Sequence, residues 1–339
     1  MSRFDVQRNI LSTGQFFKII CGAGNEDPEE VRRLSTVYTL AGALGIDVSA
    51  NVKVVKAAGK GIDRAFELAQ ALDVVLKVRP FITVSVGLEG DPHVRKALII
   101  EDKCTTCGLC IECCDQKAID SGPPVHVLTL RCIGCGQCSD ICPAGAVEYF
   151  TRKVNFQDIL PQCLNAGAEN IELHAIIADD DAVIKDWQII TKVLPDQYVS
   201  MCLDRSQLSN DHLIRRIEQA MALAGDRQII QADGAPMSGG QDDYNTTLQA
   251  VAIADIVQKS GLPVKILLSG GTNSKTGELA GLCGLLVHGV SVGTNARNLV
   301  RNEINSPDFD FNLKIVAAAV EKARWLVEAN IKNLRRSAS

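Results

Sequence analysis

Residues 104–143 read CTTCGLCIECCDQKAIDSGPPVHVLTLRCIGCGQCSDICP. The run Cys104-x2-Cys107-x2-Cys110-x3-Cys114 is repeated as Cys132-x2-Cys135-x2-Cys138-x3-Cys142, with Pro143 behind the second copy. Used twice, this spacing is the ligand frame of a bacterial-type ferredoxin with two [4Fe–4S] clusters. Three thiolates on one tight loop reach three irons of a cubane, and the fourth cysteine of each run crosses to the other cluster. The expected ligand sets are therefore Cys104, Cys107, Cys110 and Cys142 for one cluster, and Cys132, Cys135, Cys138 and Cys114 for the other. Structural zinc takes ligand pairs separated by a longer loop. A disulfide framework belongs to small secreted domains, whereas this chain has 339 residues. Gly108, Gly134 and Gly136 allow close backbone approach to a cluster. Two departures stand out: Asp115 stands behind the first run where the second has proline, and Cys113 offers a thiol at the wrong spacing.

Outside this segment, short apolar runs alternate with amphipathic stretches. Strands are expected at 16–21, 46–50, 82–86, 171–177, 198–203, 228–232, 264–268 and 285–292, and helices at 28–44, 211–224 and 244–260. Eight strands alternating with helices predict a (β/α)8 barrel, with a flavodoxin-like layered sheet as the competing α/β architecture. Residues 91–150 then form an inserted α+β ferredoxin-like module, flanked by barrel segments 1–90 and 151–339. What lies outside the insert is close to the roughly 250 residues usual for a barrel. Residues 97–100 and 147–150 are expected to pair as the insert's terminal strands, which brings its entry and exit together.

Two loops suggest an anion cradle. Gly270, Gly271 and Thr272 follow the seventh expected strand; Gly293, Thr294 and Asn295 follow the eighth and open a helix. Barrels commonly hold phosphate at these loops through backbone N–H groups, so a phosphate-bearing ligand such as a phosphosugar or FMN fits here. Tight turns alone also account for the glycines. Cys21, Lys53, His174, Asp204 and Asp233 fall near expected strand C-termini, but no acid–base pair is legible, so no catalytic residue is assigned. Cys21, Cys163, Cys202 and Cys283 read as buried small hydrophobes.

Hydrophobic content of 46% suffices for a core, and no apolar run reaches the length of a membrane span. A net charge of −5, with no basic stripe carrying aromatics, argues against a nucleic-acid partner. Thirteen cysteines without a secretory signal point to a reducing cytoplasm. Within 101–150, Glu101, Asp102, Glu112, Asp115, Asp120, Asp140 and Glu148 face only Lys103, Lys117 and Arg131. Such a face can steer a basic redox partner, although solvated surface charge is the default reading.

FFKIICGAGN at 16–25, CCDQKAID at 113–120, and ILLSGGTN with VHGVSVGTNAR at 266–273 and 287–297 together resemble the cyanobacterial light-dependent period protein A family. The resemblance spans essentially the whole chain. It implies a redox sensor that conveys the photosynthetic electron-transport state to circadian-clock input and oscillator proteins. The alternative is an oxidoreductase that passes electrons from the clusters to a flavin or substrate in the barrel. The missing acid–base pair favours a sensor over an enzyme.

Overall fold

The computed structural model describes residues 2–151, 154–235 and 241–334. Local chemistry sets the helix boundaries. Pro28 opens the helix Pro28–Leu40 behind Asp27, whose carboxylate accepts from the backbone N–H groups of Glu29 and Glu30. Ser209 and Asp243 cap Asn210–Ala224 and Tyr244–Lys259 in the same way. The expected helices thus form, the first one turn shorter than its periodicity suggests.

The strands are β1 (Phe16–Ile20), β2 (Gly45–Ser49), β3 (Phe81–Gly87), β4 (Arg95–Ile99), β5 (Ile119–Asp120), β6 (His126–Val127), β7 (Val147–Thr151), β8 (Asn170–His174), β9 (Val199–Leu203), β10 (Gln228–Asp233), β11 (Lys265–Ser269) and β12 (Gly289–Val292). Eight of them close a barrel in the order β1-β12-β11-β10-β9-β8-β3-β2, every neighbouring pair parallel. The closing seam runs from Phe16 opposite Gly289 to Ile19 opposite Val292. A layered sheet would leave β1 with an edge, so the fold is the (β/α)8 barrel. Strand β8 stops at His174, three residues earlier than its apolar run. Beyond it the carbonyls of Ala175 and Ile177 accept from the Arg216 guanidinium instead of extending the ladder.

Inside the barrel the side chains lie in layers. Phe16, Phe81, Ile229 and Leu267 fill the N-terminal end, which the helix Arg3–Ser12 closes through Leu11. Truncating Phe16 here to alanine is expected to cost about 3–5 kcal/mol. The next layer is polar. Lys18 reaches Asp47 at 3.0 Å and Glu172 at 2.5 Å; Ser85 donates to Asp47, while Ser200 and Gln231 donate to Glu172. The main apolar core lies between the barrel and its helices, with Leu34, Trp187 and Leu326 fully buried.

The remaining strands lie between β3 and β8. β4 and β7 pair antiparallel from Arg95–Thr151 to Ile99–Val147, and β5 pairs with β6. Ala97, Ala118, Ile119, Cys132 and Cys138 make a small core of their own. Its seat on the barrel is polar. Lys96 donates to the carbonyls of Gly24 and Cys132, Glu26 N–H donates to the Leu130 carbonyl at 2.7 Å, and Arg131 pairs with Asp27 at 2.9 Å.

Candidate metal centres and barrel-mouth site

The two cysteine runs fold as near copies. Gly108 and Gly136 each hold a left-handed φ, at 80° and 98°, and each opens a one-turn helix, Leu109–Glu112 and Gln137–Asp140. A side chain at either position would be strained, so glycine lets the loop double back on its own cysteines. One hollow is walled by Cys104, Cys107, Cys110 and Cys142, and a second by Cys114, Cys132, Cys135 and Cys138. Three thiols in each come from one run and the fourth from the other. Apolar side chains complete the walls, Ile99 and Val147 in the first and Ala97, Ile119 and Val127 in the second.

Backbone N–H groups already point at sulfur. Ala97 donates to Cys132 at 3.4 Å, Ala118 to Cys114 at 3.3 Å and Ala146 to Cys142 at 3.3 Å. Such bonds stabilise the charge of a cluster's sulfurs and tune its potential. Burial, reinforced by neighbouring thiols, pushes Cys110, Cys135 and Cys138 above the usual thiol range. Iron reverses that preference, because a coordinating thiol is deprotonated outright. Four thiols around each apolar hollow are the donor set that a [4Fe–4S] cubane takes. Cys113 walls neither hollow: its thiol faces the Cys110 carbonyl at 3.5 Å and is pushed up to about 11, chiefly by burial. Asp115 ties its run to the barrel, since its carbonyl accepts from Arg301.

At the C-terminal mouth of the barrel a cleft is lined by Gly270, Gly271, Thr272, Gly293 and Thr294, together with Glu172, His174, Cys202, Asp233 and Arg297. Both glycine loops of the expected anion cradle are thereby brought together, and Asn295 alone does not line the cleft. Gly270 has φ +65, and a Cβ there would lie 1.9 Å from Asp233 Oδ1, so only glycine lets this loop pass the carboxylate. Ile133, between Cys132 and Cys135, lines the same cleft from the cysteine side. Arg297 is 3% exposed, and its guanidinium holds the carbonyls of Ile20 and Cys21, while Nε has no partner among the described residues. Burial lowers its pKa, partly offset by Glu30.

The barrel wall beside Arg297 is acidic and buried. His174 Nδ1 lies 2.9 Å from Asp91 Oδ2, and Nε2 is 3.9 Å from Glu172 Oε1. Burial alone would lower this imidazole's pKa; Asp91 above all, with Glu172 and Asp233, pushes it up to about 9. The Cys202 thiol donates to Asp233 at 3.1 Å and is held well above the usual thiol range by burial and by that carboxylate. Deeper in, burial raises Asp47, whereas for Glu172 Lys18 and His174 overcome the same burial and hold it low.

Of the five residues expected at strand ends, His174 and Asp233 reach the cleft. Lys53 is exposed on the helix Val52–Ala69, Cys21 is buried and its carbonyl accepts from Arg297, and Asp204 turns to Ser206. Cys283 is exposed in the turn after Thr276–Leu282, which corrects its expected burial, while Cys21, Cys163 and Cys202 are buried. Lys18, Asp47, Asp91, Glu172 and Arg297 join the candidate site without being singled out by the sequence reading. For Lys18, Asp47 and Glu172 the signal is a charged residue in the middle of an apolar strand, as in FFKII and IEL, whereas Asp91 in a connector and Arg297 on the helix Thr294–Leu299 carry none. Asp91, the first residue of the expected insert, is 1% exposed and faces the barrel's His174.

Among the described residues no helix is long and apolar enough to cross a membrane. The fold is similar at low identity to wild-type GGGPS from Thermoplasma volcanium (9% identical, 99% of this chain and 100% of that one, TM-score 0.48). It is likewise similar to the YdjI aldolase from Escherichia coli K12 (9%, 98% and 94%, TM-score 0.45). At that level neither informs the site. Residues 125–148 match the model of the 4Fe-4S binding domain, and residues 163–329 match that of the light dependent period A C-terminal domain. Light dependent period A of Synechococcus elongatus is 33% identical over 271 residues, 78% of this chain and 73% of that protein. A dicysteine-run module carried on a barrel whose second half matches that C-terminal domain leaves one assignment: the chain belongs to the light-dependent period A family.

Proposed function

We propose that this protein is an iron–sulfur redox sensor of light-dependent period control, conveying photosynthetic redox state to the circadian clock through two [4Fe–4S] clusters. The observation that carries the reading is the pair of hollows, each with three thiols from one cysteine run and one from the other. Cys104, Cys107, Cys110 and Cys142 would hold one cluster, and Cys114, Cys132, Cys135 and Cys138 the second. Bound there, the clusters supply one-electron chemistry. The chain's part is to exclude water with Ile99, Val147 and Ile119, and to aim the N–H groups of Ala97, Ala118 and Ala146 at sulfur.

Gaining one electron changes the charge of an already acidic module by one unit. A partner responds only as far as its affinity differs between the two states. Coupling of about 1–3 kcal/mol corresponds to a five- to 150-fold change in binding. The test measures binding of purified clock-input and oscillator proteins to the oxidised and the dithionite-reduced protein, beside a variant lacking Cys107 and Cys135. Equal affinity in all three, or steady turnover of a nicotinamide or quinone, would sink the sensor.

The second reading is an oxidoreductase that passes electrons from the clusters to a flavin or another phosphate-bearing ligand in the barrel. It is favoured by Ile133, which belongs to the second cysteine loop and also lines the cleft with Gly270, Gly271, Thr272, Gly293, Thr294 and buried Arg297. Those loops and the guanidinium would hold the anionic group. A flavin band in the absorption spectrum of anaerobically purified protein would decide for this reading.

A further inference from the structure

The barrel mouth holds a second donor set, chemically unlike the eight cysteines. Glu172 and His174 are two residues apart on β8 and so point to the same side of the strand. Cys202 stands opposite His174 in the β8–β9 register. One ligand atom from each of the three lies within 4.8 Å of the others, and all three residues are buried yet line the cleft. We propose that Glu172, His174 and Cys202 form a three-ligand site for a borderline divalent metal, Zn2+ above all, with its fourth position open to the cleft.

Four features carry this. The set of one carboxylate oxygen, one imidazole nitrogen and one sulfur suits zinc, whose catalytic sites take three protein ligands and leave one position for water or substrate. Asp91 accepts from His174 Nδ1 at 2.9 Å, the carboxylate–histidine arrangement that fixes the tautomer and aims the other nitrogen at a metal. That other nitrogen, Nε2, is 3.9 Å from Glu172 Oε1. This is too long for a direct hydrogen bond, and within reach of two ligands that each sit about 2.0–2.2 Å from one ion. Finally, four carboxylates (Asp47, Glu172, Asp91 and Asp233) stand around the donors against the cations Lys18 and Arg297 and a His174 imidazole that these carboxylates keep protonated. A divalent cation takes the place of two protons, the one on His174 Nε2 and the one that Cys202 shares in its hydrogen bond to Asp233, and leaves the carboxylates neutralised.

The site is independent of the clusters, but their cysteines also bind zinc when iron is lost, so the test uses cluster-replete protein under anaerobic conditions. Zn2+ is titrated in, excess is removed, and bound zinc is counted and examined by X-ray absorption at the zinc edge. About one zinc per chain is expected, with one sulfur near 2.3 Å and the remaining ligands nitrogen or oxygen near 2.0 Å. Cys202→Ser and His174→Ala should lose it with iron content unchanged and with the cooperative urea transition of the barrel retained, which shows that each variant has folded. Asp91→Asn should weaken zinc binding by about 10- to 100-fold. Failure to retain zinc, an all-sulfur shell, or zinc content untouched by Cys202→Ser would overturn the proposal.

Discussion

The insert and the barrel assemble their chemistry in opposite ways. In the insert, each hollow draws three thiols from one short run, and the two runs lie within residues 104–142. In the barrel, Lys18, Asp47, Asp91, Glu172, His174, Cys202, Asp233 and Arg297 are scattered over most of the chain and meet because the closed barrel brings its strands and the segments that follow them together. The first kind of site is written in spacing, the second in register. They also differ in what a mutation does. A thiol removed from the insert would, on the proposed reading, forfeit one ligand of a small module. A charge removed from the barrel leaves its partners buried and uncompensated.

The sharpest way to break the comparison is Cys142→Ala. If each hollow is completed by the other run, the variant loses the cluster of Cys104, Cys107 and Cys110, and the cluster near its own sequence neighbours survives. Iron should fall from about eight to about four per chain, with one set of reduced-state resonances remaining. Loss of the resonances tied to Cys132, Cys135 and Cys138 instead would show that ligation is not crossed, and that the two runs act as separate local sites.

Lys18→Met tests the other side. Lys18 is 1% exposed and shared between Asp47 and Glu172, so its removal leaves two carboxylates without their cation. Breaking a buried ion network by deleting one partner costs about 3–5 kcal/mol. Urea unfolding should show this loss in the midpoint while the iron content holds. Adding Asp47→Asn and Glu172→Gln should return most of it, because the uncompensated charges are then gone. No recovery in the triple variant would mean that Lys18 acts through packing of its methylene chain.

This contrast explains what the sequence reveals. The cysteine spacing names the four thiols that wall each hollow, and alternating apolar runs place all eight barrel strands within a few residues. The glycine loops at 270–272 and 293–294 converge because barrel topology sets the C-terminal ends of neighbouring strands side by side. The polar layer stays hidden for a physical reason. Lys18 in FFKII and Glu172 in IELH interrupt apolar strands at one position each, which reads as the solvent face of an ordinary strand unless the closure of the barrel is known. Asp91 is harder still. It lies past β3 in a connector, and its 2.9 Å contact with His174 assigns it to the barrel.

Asp91 also decides how the insert can be cut out. Joining residue 92 to residue 154 through a flexible linker removes the cysteine module and keeps Asp91 against His174. The barrel should still unfold in one cooperative transition, since its apolar core and the insert's small core are separate clusters. The expected cost is below that of Lys18→Met, because the bonds that seat the insert on the barrel, Lys96 to Gly24 and Arg131 to Asp27, are polar. Two transitions or a molten product would mean that the barrel depends on the insert, and the division into two regions would fall.

The smallest effect probes charge that neither region's chemistry uses. Asp310 binds Arg32 at 2.8 Å and Arg33 at 2.8 Å, tying the loop before the last helix to the helix Pro28–Leu40. Although partial burial pushes Asp310 up, the two guanidinium groups outweigh it and hold its pKa below the usual carboxylate value. A carboxylate depressed in the folded state contributes stability above its unfolded pKa and loses it as pH falls through the folded one. Asp310→Asn should therefore cost about 1 kcal/mol or less at pH 7, since the carboxylate stays partly in solvent. The gap to wild type should be constant from pH 7 down to the ordinary carboxylate range near pH 4 and close below it. The Lys18→Met penalty should behave differently and shrink as pH falls from 7 to 5, because burial already raises Asp47 and loss of its cation raises it further, so the folded variant binds a proton that the unfolded chain does not. A Lys18→Met gap that stays constant over that range would mean that the stranded carboxylates are in contact with water, and with it the sharp distinction between the barrel's buried charge and its surface charge would go.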